Sequence, residues 1–163
     1  QKNEKAIIFT SFNEMNRIFK RDIPQRFNVK TFSITGETNT DDRQLIVDTF
    51  SNLESSALLV LNPKAAGTGL NITAANHVIH YNLEWNPAVE DQASARAYRK
   101  GQTKTVFVYR LFYINTIEEV INDRINRKRE ISNLAVVGNQ GEADQKDLIR
   151  ALKLSPYGGD LND

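Results

Sequence analysis

The sequence predicts an α/β domain with a mainly parallel central sheet flanked by helices, and three observations carry that expectation. Five short apolar runs have the length and β-branched richness of buried strands. Between them lie segments with helical hydrophobic spacing that open on capping residues. The 163 residues amount to about one domain on the rule of roughly 150 residues each, enough to bury a real core.

Ala6-Ile7-Ile8-Phe9-Thr10 reads as a strand buried on both faces. Ser11-Phe12-Asn13-Glu14 has capping-box spacing, with Ser11 as the cap and Glu14 reaching back. A helix is expected from there to about Phe27, with Pro24 breaking or bending its end. Val29-Lys30-Thr31-Phe32-Ser33-Ile34 alternates with period two, and Gly36 closes it in a turn. A second helix starts within residues 38–42, where small polar and acidic side chains suit the open amides, and Leu45, Ile46, Thr49 and Phe50 are expected to form its buried stripe. Ala57-Leu58-Leu59-Val60-Leu61 is the third strand and His77-Val78-Ile79-His80-Tyr81 the fourth, with a glycine-bearing loop between them. Asn86-Pro87, a cap followed by proline at the first helical position, opens a helix expected to reach about Arg99. Val106 to Phe112 is the fifth strand. Thr116-Ile117-Glu118-Glu119 is a second capping box, after which Ile117, Val120, Ile121, Ile125 and Ile131 carry a long amphipathic helix. Strands and helices alternating at this rhythm imply right-handed crossovers. Residues 1–137 are expected to be the main body. Residues 138–163 read as a linker at Gly138 to Gly141, a short helix from Asp144 to Leu154 that packs back through Leu148, Ile149, Leu152 and Leu154, and a frayed end.

Composition excludes several classes. At 40% hydrophobic and 25% charged residues the chain is neither disordered, collagenous nor a coiled coil as a whole. No apolar run approaches the roughly 20 residues that span a bilayer and no basic-then-apolar leader opens the chain, so a soluble, intracellular protein without a membrane role is expected. The absence of cysteine rules out a disulfide framework, a thiolate metal site and a cysteine nucleophile. A start at Gln1 that runs almost directly into a strand is read as a piece of a longer polypeptide. The net charge is only +1, but residues 92–117 contain no acid and five cations, Arg96, Arg99, Lys100, Lys104 and Arg110, after an acidic approach of Glu84, Glu90 and Asp91. A second basic cluster, Arg124, Arg127, Lys128 and Arg129, reads as a solvated helix face.

No G-x-x-x-x-G-K-[ST] and no G-x-G-x-x-G occurs, so the sheet has no phosphate loop of its own. The loop Lys64-Ala65-Ala66-Gly67-Thr68-Gly69-Leu70-Asn71 has glycines that allow amides to approach an anion, although on its own it fits a plain turn better. His77 and His80 lack the partners of a metal site and read as strand packing; no metal ligands are expected. The helix after Asn86 stands apart. Gln92, Arg96 and Arg99, four and three residues apart, project from one helical face, while Val89, Ala93 and Ala97 form a small apolar face. Arginine keeps its charge and offers a planar fork of donors to phosphate oxygens, although composition alone fits a solvated charged face equally well.

The run Trp85-Asn86-Pro87-Ala88-Val89-Glu90-Asp91-Gln92-Ala93, followed by Arg96-Ala97-Tyr98-Arg99-Lys100-Gly101-Gln102-Thr103-Lys104, closely resembles motif VI and its approach in the Swi/Snf-like chromatin-remodeller family of superfamily-2 helicase-type ATPases. Ala6 to Phe12 resembles motif IV, and Gly36 with Arg43 and Phe50 is similar to the region after it. Lys64 to Asn71 with Thr73-Ala74-Ala75 resembles motif V. The likeness runs over roughly residues 5–135. It departs from the family at Ala95, where an acidic residue is common, at Tyr98, where histidine is common, and at Lys100, which replaces a frequent isoleucine.

The resemblance implies the second, C-terminal RecA-like lobe of a two-lobed motor, a P-loop NTPase-like fold without its own P-loop. The Walker A loop and Asp-Glu-x-His box of the first lobe do not occur in the sequence. By position, Arg96 and Arg99 are implied to be arginine fingers reaching ATP phosphates across an interlobe cleft, with Gln92 in the same site and Gly67 and Gly69 near the nucleotide. Ser11, Phe12, Lys64, Gly67, Thr68 and Trp85 are implied to lie along a DNA track. ATP and Mg²⁺ would be held mainly by the N-terminal lobe, so this lobe alone is expected to be inactive. Double-stranded DNA, that lobe and some DNA-bound protein are the implied partners, in the cytoplasm of a bacterium or the nucleus of a eukaryote. Three rivals remain: a strand-separating DNA or RNA helicase, a non-catalytic scaffold of the same fold, and a free-standing nucleotide-binding domain, which would need a phosphate loop.

Overall fold

The computed structural model describes residues 3–65, 69–134, 146–147 and 149–151. In chain order the elements are β1 (Lys5–Phe9), α1 (Asn13–Phe27), β2 (Lys30–Ile34), α2 (Thr40–Asn52), β3 (Ala57–Leu61), β4 (His77–His80), α3 (Pro87–Ser94), β5 (Phe107–Arg110) and α4 (Ile117–Leu134). They fall into two compact units, Gln1–Asn82 with Ala88–Arg110, and Leu83–Pro87 with Leu111–Asp163.

The first unit is built on a five-stranded, wholly parallel sheet in the order β2-β3-β1-β4-β5. β1 is central, with Ile7 opposite Leu59 of β3 and Val78 of β4. β3 is buried at every position, as a continuous apolar run between two covered faces requires. Period two divides the core. Ile7, Phe9, Leu59 and Leu61 pack with Val47 and Phe50 of α2 and Ala93 of α3 on one face, and Ile8, Leu58 and Val60 pack with Phe19 and Ile23 of α1 on the other.

Several elements differ from their sequence signals. α1 starts at Asn13, so Phe12 rather than Ser11 is the cap residue, and no side chain caps it. The Ser11 N–H donates to Asn82 Oδ1 at 2.9 Å and the Phe12 N–H to Thr10 Oγ1, so this turn is committed to joining the ends of β1 and β4. Pro24 does not break the helix. It lies in the last turn, where a missing N–H costs one bond, and its carbonyl accepts the Asn28 N–H as Asn28 turns left-handed at φ 53°. In α2 the buried side chains are Val47 and Phe50, while Leu45 is 65% exposed and Thr49 is exposed. The helical phase follows from Val47 and Phe50, which enter the core, while Arg43 Nε donates to Thr38 O at 2.8 Å and its second guanidinium nitrogen to Gly36 O at 3.3 Å. The less exposed stripe therefore runs through 43, 46, 47 and 50. β5 is four residues long, and three of them are exposed.

In the second unit, Thr116 caps α4, its Oγ1 accepting the Glu118 N–H, but the expected capping box is shifted: Glu119 reaches back to the Asn115 N–H at 2.7 Å, one residue before the cap. Leu83 packs with Ile121 and Ile125, and Val120 is buried, but Ile117 is exposed and the Ile131 side chain lies outside the described residues. The basic cluster is not simply solvated. Arg124 lies over the Trp85 ring at 5.5 Å, and Arg127 is ion-paired with the buried Asp147. Residues 146–147 and 149–151 are helical, and Arg150 bonds Asp123 at 2.7 Å. Ala151 is buried but Ile149 is exposed, against the apolar side assigned to it; Leu148, Leu152, Leu154 and the 138–141 linker lie outside the described residues. Among the described residues no helix is long and apolar enough to cross a membrane.

Candidate functional site

The topology brings sequence-distant residues together at the carboxyl edge of the sheet. β1 ends in Thr10, whose N–H donates to Leu61 O, and the Tyr81 N–H after β4 donates to Phe9 O. The bond from Ser11 to Asn82 completes this edge, so Ser11 and Phe12 follow β1 while Lys64 follows β3, its neighbour. Open parallel sheets bind ligands outside these strand ends, where backbone crossovers diverge. Phe12 is 57% exposed, and Lys64 is exposed on a turn in which its N–H is taken by Asn62 Oδ1 at 2.9 Å. Gly69 is exposed with φ +83°, a backbone shape that favours glycine. Gly67 and Thr68 lie outside the described residues. Trp85 belongs to the second unit, where it is partly exposed beneath Arg124.

The arginines are built differently from the expectation of one helical face. α3 ends at Ser94, so only Gln92 is helical, and Arg96 and Arg99 lie on the turns that follow. Tight bonds from the Arg96 N–H to Ala93 O and from the Ala97 N–H to Ser94 O wind the chain out of the helix. The Ile72 N–H then captures Arg96 O at 3.0 Å, tying the turn to the loop that feeds β4 from its amino end. Ala93 and Ala97 are buried as expected, because small side chains let the segment lie close to the sheet. Gln92 and Arg99 are exposed.

Arg96 is 5% exposed, and its Nε is buried with no hydrogen-bond partner among the described residues. Desolvation, and secondarily the nearby positive charge of Arg99, lower its pKa from the ordinary arginine value. An anion would satisfy the unmet donor of this buried guanidinium and offset its cationic neighbour, and phosphate oxygens have the geometry of its donor fork. Glu90, read in the sequence as part of an acidic approach, is completely buried on α3. Gln102 stands in the sequence only as part of the run from Arg96 to Lys104. Its side chain bonds the carbonyls of Thr73, Ala75 and Ala97, a role that no local pattern signals.

His77 and His80 pack within the sheet. His80 is buried, stacks on Phe9 and bonds Ser94 Oγ at 2.8 Å; His77 lies beside Phe107 and Tyr109 and bonds Glu4. Among the described residues no group of three or more His, Cys, Asp or Glu is placed to hold a metal ion.

A wholly parallel five-stranded lobe without a phosphate loop, carrying a desolvated arginine beside a second one, defines a RecA-like helicase C-terminal lobe as the class. The family model "Helicase conserved C-terminal domain" matches residues 1–101. YwqA of Bacillus subtilis is 42% identical over 130 residues, covering 80% of this chain and 14% of that protein. The C-terminal part of the Fun30 ATPase domain superposes with TM-score 0.71 at 35% identity, covering 76% of this chain and 39% of that one. The Sulfolobus solfataricus SWI2/SNF2 ATPase core in complex with double-stranded DNA gives TM-score 0.68 at 33% identity, covering 94% of this chain and 33% of that one. The chain belongs to the helicase C-terminal domain of the SWI2/SNF2-family ATPases. It spans about a seventh of the bacterial relative's length.

Proposed function

We propose that this lobe, taken as residues 1–137 with the tail after it, works in an ATP-dependent translocase that moves along double-stranded DNA. Arg96 and Arg99 supply positive charge to the phosphates of ATP held with Mg²⁺ on an N-terminal lobe, and Gln92 lies in the same site. The observation that carries this reading is the buried Nε of Arg96, which has no hydrogen-bond partner among the described residues. A cation held out of water costs stability unless something anionic meets it. Phosphoryl transfer spreads charge over oxygens, where a fixed arginine is worth roughly 10³ to 10⁵ in rate. Ser11, Phe12, Lys64, Gly67 and Thr68 are assigned to contacts with the DNA backbone, and Trp85 is assigned a DNA contact of its own. Such contacts hold DNA without reading its sequence. The duplex preference is supported by the Sulfolobus SWI2/SNF2 core, which is solved with double-stranded DNA.

The test is steady-state ATP turnover, with and without duplex DNA, in the full-length ATPase that contains this lobe. Arg96→Ala and Arg99→Ala are each expected to cut DNA-stimulated turnover by roughly 10²-fold or more while DNA binding holds. Turnover within about threefold of the parent in both variants would assign these arginines a structural role instead. The lobe by itself is expected to show negligible turnover.

A further inference from the structure

We infer that Gln102 is a positioning residue that holds the Arg96–Arg99 turn in its working geometry by bolting it to the loop before β4. The inference rests on the arginine-finger reading above and goes beyond it by naming what aims the fingers.

Gln102 Nε2 lies 2.8 Å from Ala75 O, 3.0 Å from Thr73 O and 3.2 Å from Ala97 O, and its Oε1 accepts the Lys104 N–H at 2.9 Å. Carbonyls only accept and an N–H only donates, so this orientation of the amide is the one consistent with its neighbours. Two N–H bonds shared among three carbonyls, with the acceptor also used, leave the amide fully engaged. One of those carbonyls, Ala97 O, belongs to the residue after Arg96, and the Gln102 N–H donates to Arg99 O at 3.0 Å. Side chain and backbone of one residue therefore grip the chain immediately beside each arginine. The other two carbonyls belong to the 72–75 loop, whose Ile72 and Ala75 are fully buried and whose Ile72 N–H holds Arg96 O. The grip is thus anchored to the core rather than to another surface loop.

The consequence follows from α3 ending early. Arg96 and Arg99 are not fixed by a helical ladder, so their placement depends on the bonds that replace it. A displacement of about 1 Å in a catalytic group can cost on the order of 10²-fold in rate. Gly101 adds the bend that the grip requires: its φ of +106° turns the chain so that Gln102 points back beneath Ala97.

The experiment is a double-mutant cycle on DNA-stimulated ATP turnover in the full-length ATPase, with melting temperature recorded for every variant. Gln102→Met keeps the side-chain length and removes both donors and the acceptor. Gln102→Glu keeps the acceptor toward Lys104 but sets a carboxylate against three carbonyls. Both are expected to lower kcat roughly tenfold or more with little change in KM for ATP or in duplex affinity. In the Arg96→Ala/Arg99→Ala background, Gln102→Met is expected to have almost no further effect on the residual kcat, because there is no finger left to aim. An equal fold-loss in both backgrounds, or a lowered melting temperature with kcat retained, overturns the positioning role while leaving the fingers standing. An Arg96→Ala protein that turns over normally instead overturns the finger reading, and this inference with it.

Discussion

Lys64 stands on an exposed turn at the carboxyl edge of the sheet, whereas Arg96 is tucked beneath a braced turn with 5% of its surface accessible. An asparagine side chain holds the lysine's turn by one local bond. Around the arginine, bonds that involve Ile72, Gln102 and the end of α3 converge on the backbone and hold a cation that is largely withdrawn from water. A fully hydrated lysine costs nothing to carry and gains little from any single phosphate, which suits a contact that must be made and released repeatedly. A desolvated arginine is costly to carry and repays that cost only when charge develops opposite it. The two regions thus set positive charge in two different environments in one small lobe, and the proposed function assigns holding to the first and chemistry to the second.

The contrast is broken most directly at Arg96. Arg96→Met keeps much of the side-chain volume and removes the buried charge, so turnover in the full-length ATPase should fall by roughly 10²-fold or more. Melting temperature should hold or rise, because an uncompensated desolvated cation is lost. Thermal unfolding followed beside turnover checks both. A clear fall in melting temperature would show that the guanidinium is a structural partner, and the distinction from Lys64 would be one of burial alone.

A smaller effect tests the bracing itself. Gly101 has φ +106°, and a β-carbon there would meet only Thr73 Oγ1 at 4.0 Å, so Gly101→Ala is strained by the backbone and not by collision. It should cost about 1 to 3 kcal/mol. Gly36 is the control, with open space around its missing β-carbon and no positive φ, and Gly36→Ala should stay within about 0.5 kcal/mol. Denaturant midpoints for the two variants measure the difference. Equal costs would mean that the turn after Arg99 is no more constrained than an ordinary surface turn.

How much of this was legible depends on whether local chemistry or tertiary bonding decides each element. Ala57 to Leu61 is a strand with the bounds its apolar run indicates, because five continuous apolar residues between polar turns are too short for a helix and suit a sheet covered on both faces. The Thr116 cap was legible for the same reason, since its partners are its own neighbours. The end of α3 was not. Helical spacing continues through Arg96 and Arg99, and the bonds that stop the helix come from Ile72 and Gln102, whose positions no local pattern encodes. Leu45 is a similar case, because an apolar residue at helical spacing lies outside the face that Val47 and Phe50 turn into the core. At the candidate site the residue types were readable, but the burial that makes Arg96 unlike Lys64 was not. That difference follows from where a turn lies against the core, which the identity of the arginine does not reveal.

The smallest expected effect belongs to Lys64 and is the sharpest test of the holding role. Neutralising one phosphate contact removes about one released counterion, so Lys64→Ala should lower the slope of log affinity against log salt by roughly 0.9. At saturating duplex, turnover should be unchanged, because an exposed lysine at this edge has no part in the arginine turn. Lysine is the better probe than the neighbouring glycine. Gly69 has φ +83°, so any substitution there mixes backbone strain with loss of a phosphate contact. Duplex binding titrated at several salt concentrations, with turnover measured on the same preparations, separates the possibilities. An unchanged slope would remove the loop after β3 from the DNA surface. A slope that falls while saturated turnover also drops would place Lys64 in the coupling between holding and chemistry, and would show that the two kinds of charge are less separate than their burial suggests.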